Sequence, residues 1–183
     1  NERITALAAD ISEVSRAEEG RIPLELRLTR IDDLVESAVT SCAKACAEAG
    51  IQLVTRGNCP VEVDVDPARI GQVLDNLLRN AVDAVKDRRD ARIEIAVETG
   101  SHAYVSVRDN GPGVADLEKL FEPFWTTKAP GEGTGLGLAI SSGIVADFGG
   151  RLTAHNPEGG GAAFDLELPL HQPRLDSRRT AAE

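Results

Sequence analysis

The chain has 183 residues, 42% of them apolar, with a net charge of −10 and three cysteines. That length holds one domain and a short appendage, the apolar share excludes a disordered chain, and the acidic balance argues against a nucleic-acid binder, which normally shows a basic face. No apolar run approaches the ~20 residues of a membrane span and no signal peptide is visible, while the absence of methionine even at position 1 points to a piece of a longer protein.

At the N-terminus Ile4, Leu7, Ile11 and Val14 form a 3-4-3 seam on one helical face, expected to be the stub of a longer helix pair. Ile22 to Thr29 alternates as a strand. Asp32 or Asp33 is expected to cap a helix that runs to Ala49 and stops at Gly50. Cys42 and Cys46 lie four apart on it. A metal pair is open at that spacing, but small buried hydrophobes in a reducing cytoplasm are the simpler reading for these and Cys59.

Ile51 to Thr55 and Val61 to Val65 read as strands. Asp66-Pro67 then starts a helix, a capping carboxylate followed by proline at the first helical position. Its apolar face runs from Ile70 to Val85. Ile93 to Val97 and Ala103 to Arg108 form a strand pair, and a Gly/Pro-rich stretch from Asp109 to Gly137 is long enough for a loop to suggest function. A helix from about Leu138 to Phe148 and the strands Arg151 to His155 and Ala162 to Leu168 complete the order. The fold class expected is an α/β sandwich, with one mostly antiparallel sheet and helices packed on one face.

Three segments carry chemistry. Asn76 and Asn80 stand one turn apart on one helical face, where two carboxamide oxygens can present hard ligands to Mg²⁺. Hydrogen-bonded structural asparagines are equally compatible with that spacing. Asp109-Asn110-Gly111-Pro112-Gly113 follows a strand directly. A buried carboxylate there can accept the exocyclic amine of adenine and repel the oxygen of guanine, although the composition also suits a plain turn.

Gly131-Glu132-Gly133-Thr134-Gly135-Leu136-Gly137-Leu138 leads into a helix and exposes backbone N–H groups suited to a phosphate chain. It lacks the Lys-Ser/Thr of a Walker A loop and the G-x-G-x-x-G spacing of dinucleotide folds. Between the last two segments, Leu120 to Lys128 holds Phe121, Phe124 and the single tryptophan, Trp125. These aromatics are expected to anchor the base of a lid, with Thr127 and Lys128 beyond them and Lys128 able to reach phosphate.

In this order and spacing the segments resemble the catalytic domain of bacterial sensor histidine kinases, a member of the Bergerat ATP-binding fold shared with gyrase, Hsp90 and MutL. Gln72 to Ala81 looks like the family's N box, Asp109 to Gly113 its G1 box, Phe121 to Phe124 its F box and Gly133 to Leu138 its G2 box. The resemblance implies that Asn80 ligates Mg²⁺, with Asn76 supporting metal and phosphate. Asp109 would read adenine and Gly111 and Gly113 would line the base pocket, with Val114, Phe121, Asp83 and Thr127 also among the nucleotide-binding residues. Gly133, Thr134, Gly135 and Gly137 would wrap the phosphates, with Leu136 and Leu138 also counted among the nucleotide-binding residues. Many relatives carry a lysine where this chain has Asp83, and Lys128 would have to compensate.

Related ATPases carry a glutamate one turn before the metal asparagine, as general base for water. Asn76 stands there instead and cannot accept a proton, which favours a kinase over an ATPase. The family's acceptor histidine lies on the first helix of a dimerisation and phosphotransfer hairpin. None of His102, His155 and His171 fits that position, so the acceptor is expected upstream of this chain.

The expected layout is residues 1–20 as the end of the hairpin helix, 21–170 as the ATP-binding domain and 171–183 as a loose tail. The implied partners are ATP, the hairpin of a homodimeric intact protein and a response regulator, with any membrane contact made only through regions outside this chain. An ATPase or serine kinase of the same fold, and a nucleotide-sensing module without catalysis, remain the other readings.

Overall fold

A computed structural model describes residues 24–128 and 133–172. The seam of Ile4, Leu7, Ile11 and Val14, residues 129–132 and the chain beyond 172 lie outside the described residues. The elements run β1 (Arg27–Arg30), α1 (Ile31–Glu48), β2 (Gln52–Gly57), β3 (Glu62–Val65), α2 (Pro67–Val85), β4 (Arg92–Thr99), β5 (His102–Asp109), α3 (Gly137–Asp147), β6 (Arg151–His155) and β7 (Ala163–Pro169).

Five strands form one sheet in the order β2-β4-β5-β7-β6, and β1 pairs with β3 as a separate antiparallel ribbon. Only the β2–β4 pair in the larger sheet is parallel. The chain travels from β2 to β4 through α2, the crossover that a parallel pair requires. The period-2 pattern then sets the layers. Ile93, Ile95 and Val97 of β4, Val105 and Val107 of β5, and Leu166 and Leu168 of β7 are buried. The alternate positions, among them Glu94, Glu98, Ser106 and Glu167, remain partly or fully open to solvent. Helix α2 brings Ile70, Val73, Leu74, Leu77, Leu78, Ala81 and Val85 to the buried side, so the sheet has one covered face and one polar face. The expected mostly antiparallel α/β sandwich is what forms.

Helix α1 starts one residue earlier than the expected acidic cap. Arg30 holds the N-cap position without a side-chain cap bond, and Asp32 and Asp33 fall in the first turn, where their charge complements the helix end. Asp32 instead accepts the Cys59 N–H at 2.7 Å, tying α1 to the segment before β3. Gly50 ends the helix in the left-handed conformation with φ 68°. Cys46 and Cys59 are buried, and burial beside Cys46 pushes the half-buried Cys42 thiol up to about 11. A thiol kept protonated at neutral pH is a poor metal ligand. Among the described residues no group of three or more His, Cys, Asp or Glu is arranged to hold a metal. No described helix is long and apolar enough to cross a membrane.

Asp66 caps α2 as its sequence requires. Oδ1 accepts from Ala68 N–H at 3.0 Å and Arg69 N–H at 3.4 Å, while Oδ2 accepts from Glu25 N–H at 3.1 Å. Asp66→Ala removes all three bonds and is expected to cost about 2 kcal/mol, a melting temperature lower by about 4–8 °C in calorimetry. An unchanged melting temperature would show that α2 does not depend on this cap. His171, placed by sequence at the start of the tail, is tied to β3 through its N–H to Glu62 O (2.8 Å) and Nδ1 to Asp64 Oδ2 (2.7 Å).

Candidate nucleotide site

Strand β5 delivers Asp109 to the end of the sheet with 3% of its surface exposed. Oδ1 accepts the N–H of Gly111 at 2.7 Å and of Ala162 at 3.3 Å. Oδ2 takes no bond among the described residues. Burial raises the carboxyl's pKa, opposed by the two N–H bonds and by Arg108. An ionised Asp109 therefore holds one free acceptor oxygen at a desolvated position.

The glycines beside it are required by close approach. A Cβ on Gly111 would lie 2.8 Å from Ala84 O and 2.8 Å from Asp109 Oδ1, and Gly113 has φ +81°. Asn110, between Asp109 and Gly111, serves as a lock. Its Oδ1 accepts Arg92 N–H at 2.9 Å and its Nδ2 donates to Asp90 O at 2.7 Å, pinning the loop to the start of β4. Val114 is half-buried against the core.

Helix α2 carries the two asparagines, and they have different partners. Asn76 Nδ2 donates to Ser141 Oγ of α3 at 3.0 Å, and its Oδ1 lies so close under Gly137 that a Cβ there would come within 2.6 Å. Asn76 thus joins α2 to the first turns of α3, and Gly137 permits the contact. Asn80 Oδ1, one turn on, accepts Lys128 Nζ at 3.3 Å, and the same ammonium pairs with Asp83 Oδ2 at 2.5 Å. Lys128, Asn80 and Asp83 therefore converge although 48 and 45 residues separate the lysine from its partners. A cation held between an amide oxygen and a carboxylate shows that this donor set favours positive charge, and its oxygens are of the hard type that suits Mg²⁺.

The glycine-rich loop rests on the aromatic segment. Gly135 (φ +69°) accepts the Phe124 N–H at 2.9 Å through its carbonyl, and a Cβ on it would meet the Phe124 carbonyl carbon at 2.4 Å. Thr134 Oγ1 accepts Leu136 N–H at 3.2 Å just before α3 begins. Leu136 is fully buried and Leu138 half-buried, while Gly133 is exposed. Gly131 and Glu132 lie outside the described residues.

Of the segment expected to anchor a lid, Leu120, Phe121 and Trp125 pack on the core. Phe124 does not: it is 69% exposed with φ 68°, because its backbone is held against Gly135. Thr127 is exposed and bonds to none of the described residues. Sequence reasoning missed Ser141, Asn156 and Ala162. A serine on a buried helical face was a detectable signal for the first; the other two sit in a turn composition that suggests nothing further.

The family model described as histidine kinase-, DNA gyrase B- and HSP90-like ATPase matches residues 65–172. Sensor histidine kinase ZraS of Escherichia coli O157:H7 is 41% identical over 133 residues, 72% of this chain and 28% of ZraS. The catalytic domain of histidine kinase ThkA, nucleotide-free, superposes with TM-score 0.70 at 32% identity, over 79% of this chain and 95% of that domain. ThkA in complex with response regulator protein TrrA gives TM-score 0.77 at 27% identity, over 93% of this chain and 49% of ThkA. The chain spans about a third or less of the curated relatives it matches. With its buried Asp109, its paired asparagines and its glycine-rich loop at the head of α3, the chain belongs to the histidine kinase-, DNA gyrase B- and HSP90-like ATPases, and among them to the ATP-binding catalytic domains of sensor histidine kinases.

Proposed function

We propose that this chain binds Mg·ATP and donates the γ-phosphoryl to a histidine on the dimerisation and phosphotransfer hairpin of the intact homodimer, for onward transfer to a response-regulator aspartate. The observation that carries the reading is Asp109, buried with one oxygen occupied by two backbone N–H groups and the other free. That free oxygen accepts the adenine amine and rejects guanine. Asn80, with Asn76 Oδ1 one turn away, would hold Mg²⁺, which supplies positive charge to the polyphosphate when bound. Lys128, already resting on Asn80 and Asp83, brings a second charge to the same place. The N–H groups of Gly133, Thr134, Gly135 and Gly137, with the start of α3, would bind the phosphates, while the Leu136 N–H is taken by Thr134 Oγ1.

Asn76 has no basicity with which to activate water, so the γ-phosphoryl survives for a protein nucleophile. None of this chain's histidines is a suitable acceptor. His102 opens β5, His155 closes β6 and pairs with Asp165 at 3.0 Å, and His171 is held on Asp64.

Incubated with γ-labelled ATP and Mg²⁺, the chain should bind nucleotide, release little phosphate and stay unlabelled. Supplying the full hairpin in trans should yield an acid-labile label on the hairpin histidine. Label on His102, His155 or His171 would refute the proposed acceptor. Rapid phosphate release would favour the ATPase reading, and binding without transfer in trans would favour a nucleotide-sensing module.

A further inference from the structure

Asn156 belongs to none of the four motifs, yet it clasps one of them. Its Oδ1 accepts the Val114 N–H at 2.8 Å and its Nδ2 donates to the Val114 carbonyl at 2.8 Å. Both bonds fall on one residue, 42 positions away in sequence, so the carboxamide pairs with that backbone as a second peptide would. Val114 has no other hydrogen-bond partner among the described residues.

The turn that Asn156 opens also touches the base-reading carboxylate directly. Ala162 N–H donates to Asp109 Oδ1, and Ala162 O accepts Asp109 N–H at 2.9 Å. A Cβ on Gly113 would lie 3.1 Å from both Asn156 Oδ1 and Gly161 O. Asn156 therefore sits where the turn between β6 and β7 braces both ends of the loop from Asp109 to Val114.

We infer that Asn156 is a positioning residue of the adenine site: its clasp on Val114 fixes the wall of the base pocket against the β6–β7 turn, and so sets affinity and selectivity for the base while leaving the phosphate side alone. The inference rests on the nucleotide reading above. Only a carboxamide offers a donor and an acceptor at peptide spacing. Aspartate keeps the acceptor for Val114 N–H and loses the donor, and alanine loses both.

The test measures binding of ATP, ADP, GTP and adenosine to the unaltered chain, Asn156→Ala and Asn156→Asp, with thermal melting of each. Two partly solvated hydrogen bonds correspond to about a tenfold loss for Asn156→Ala, and at least about threefold for Asn156→Asp, whose second carboxylate oxygen faces the Val114 carbonyl. The loss should be equal for ATP, ADP and adenosine, with a reduced preference for ATP over GTP. If the unaltered chain binds no ATP, the nucleotide reading fails first. If it binds ATP and Asn156→Ala binds every ligand as tightly, or only melts earlier, the positioning role is overturned by itself. A loss confined to ATP and ADP, sparing adenosine, would also overturn it, because the effect would then lie on the phosphate side. Should Asn156→Ala fail to fold, Asn156→Asp, which retains one of the bonds, decides the same question.

Discussion

Asp109→Asn should leave the domain folded and no less stable, yet weaken ATP binding about 100-fold, the scale of losing a charged acceptor and leaving a donor facing a donor. An asparagine Oδ1 can keep both N–H bonds from Gly111 and Ala162. Its NH₂ then occupies the place of the free oxygen and opposes the adenine amine. The same NH₂ can donate to the oxygen of guanine or hypoxanthine, so the preference for ATP over ITP or GTP should narrow or invert. Titration calorimetry with the three nucleotides reads this. Unchanged ATP affinity would exclude Asp109 as the base-reading group.

Stability should move in the opposite sense to binding. Burial raises the folded-state pKa of Asp109 above its unfolded value. A raised carboxyl contributes stability that is fully present below the unfolded pKa, near 3.9, and is lost as pH rises through the folded pKa. At neutral pH the ionised side chain is therefore held at a cost, which Asn removes. Acid should also abolish ATP binding, beginning at a higher pH than for an ordinary aspartate. Because Oδ1 already accepts two N–H groups, the proton goes to Oδ2 and converts the acceptor for the base into a donor. In Asp109→Asn the affinity should show no such dependence over the same range.

The second large effect is expected from Gly161→Ala. Gly161 has φ +85°, and a Cβ on it would stand 1.9 Å from the carbonyl oxygen of Asp109. The left-handed conformation alone costs an L-residue roughly 1–2 kcal/mol. The overlap with backbone cannot be relieved by a rotamer change, so β5 and the β6–β7 turn must separate. We expect a total loss of at least about 3 kcal/mol and a melting temperature lower by about 6–12 °C. ATP binding should also be lost in the fraction that stays folded, because the Ala162 N–H leaves Asp109. Gly160→Ala is the control: its φ is +91° but nothing lies within 4 Å, so it carries the conformational cost without the collision. Equal effects from the two substitutions would remove the collision from the account.

Much of this architecture follows from local rules. Asp66-Pro67 starts α2 because capping and proline geometry act within one turn, and β4 and β5 alternate because a strand buries every second side chain. Gly50 ends α1 for the same kind of reason. The expected Asp32 or Asp33 cap failed where a distant demand won, the Cys59 N–H taking the Asp32 carboxylate. Phe124 was expected among packed aromatics and is turned outward by its contact with Gly135, a neighbour across the loop that no periodicity reveals.

The nucleotide site divides along the same line. Order and spacing in the sequence were enough to single out Asn76, Asn80, Asp109 and the glycine-rich loop, because each motif is short and its chemistry is carried by side chains or glycines in series. Their partners came only with the fold: Ser141 for Asn76, Asp83 with Asn80 for Lys128, Ala162 for Asp109 and Asn156 for Val114. Each of these contacts joins residues 40 or more positions apart, where helical and strand periods carry no information. Sequence alone thus determined which groups are proposed to meet a nucleotide. The tertiary structure decided what holds them, because a hydrogen bond depends on distance in space and long-range distances are set by how the sheet and helices pack.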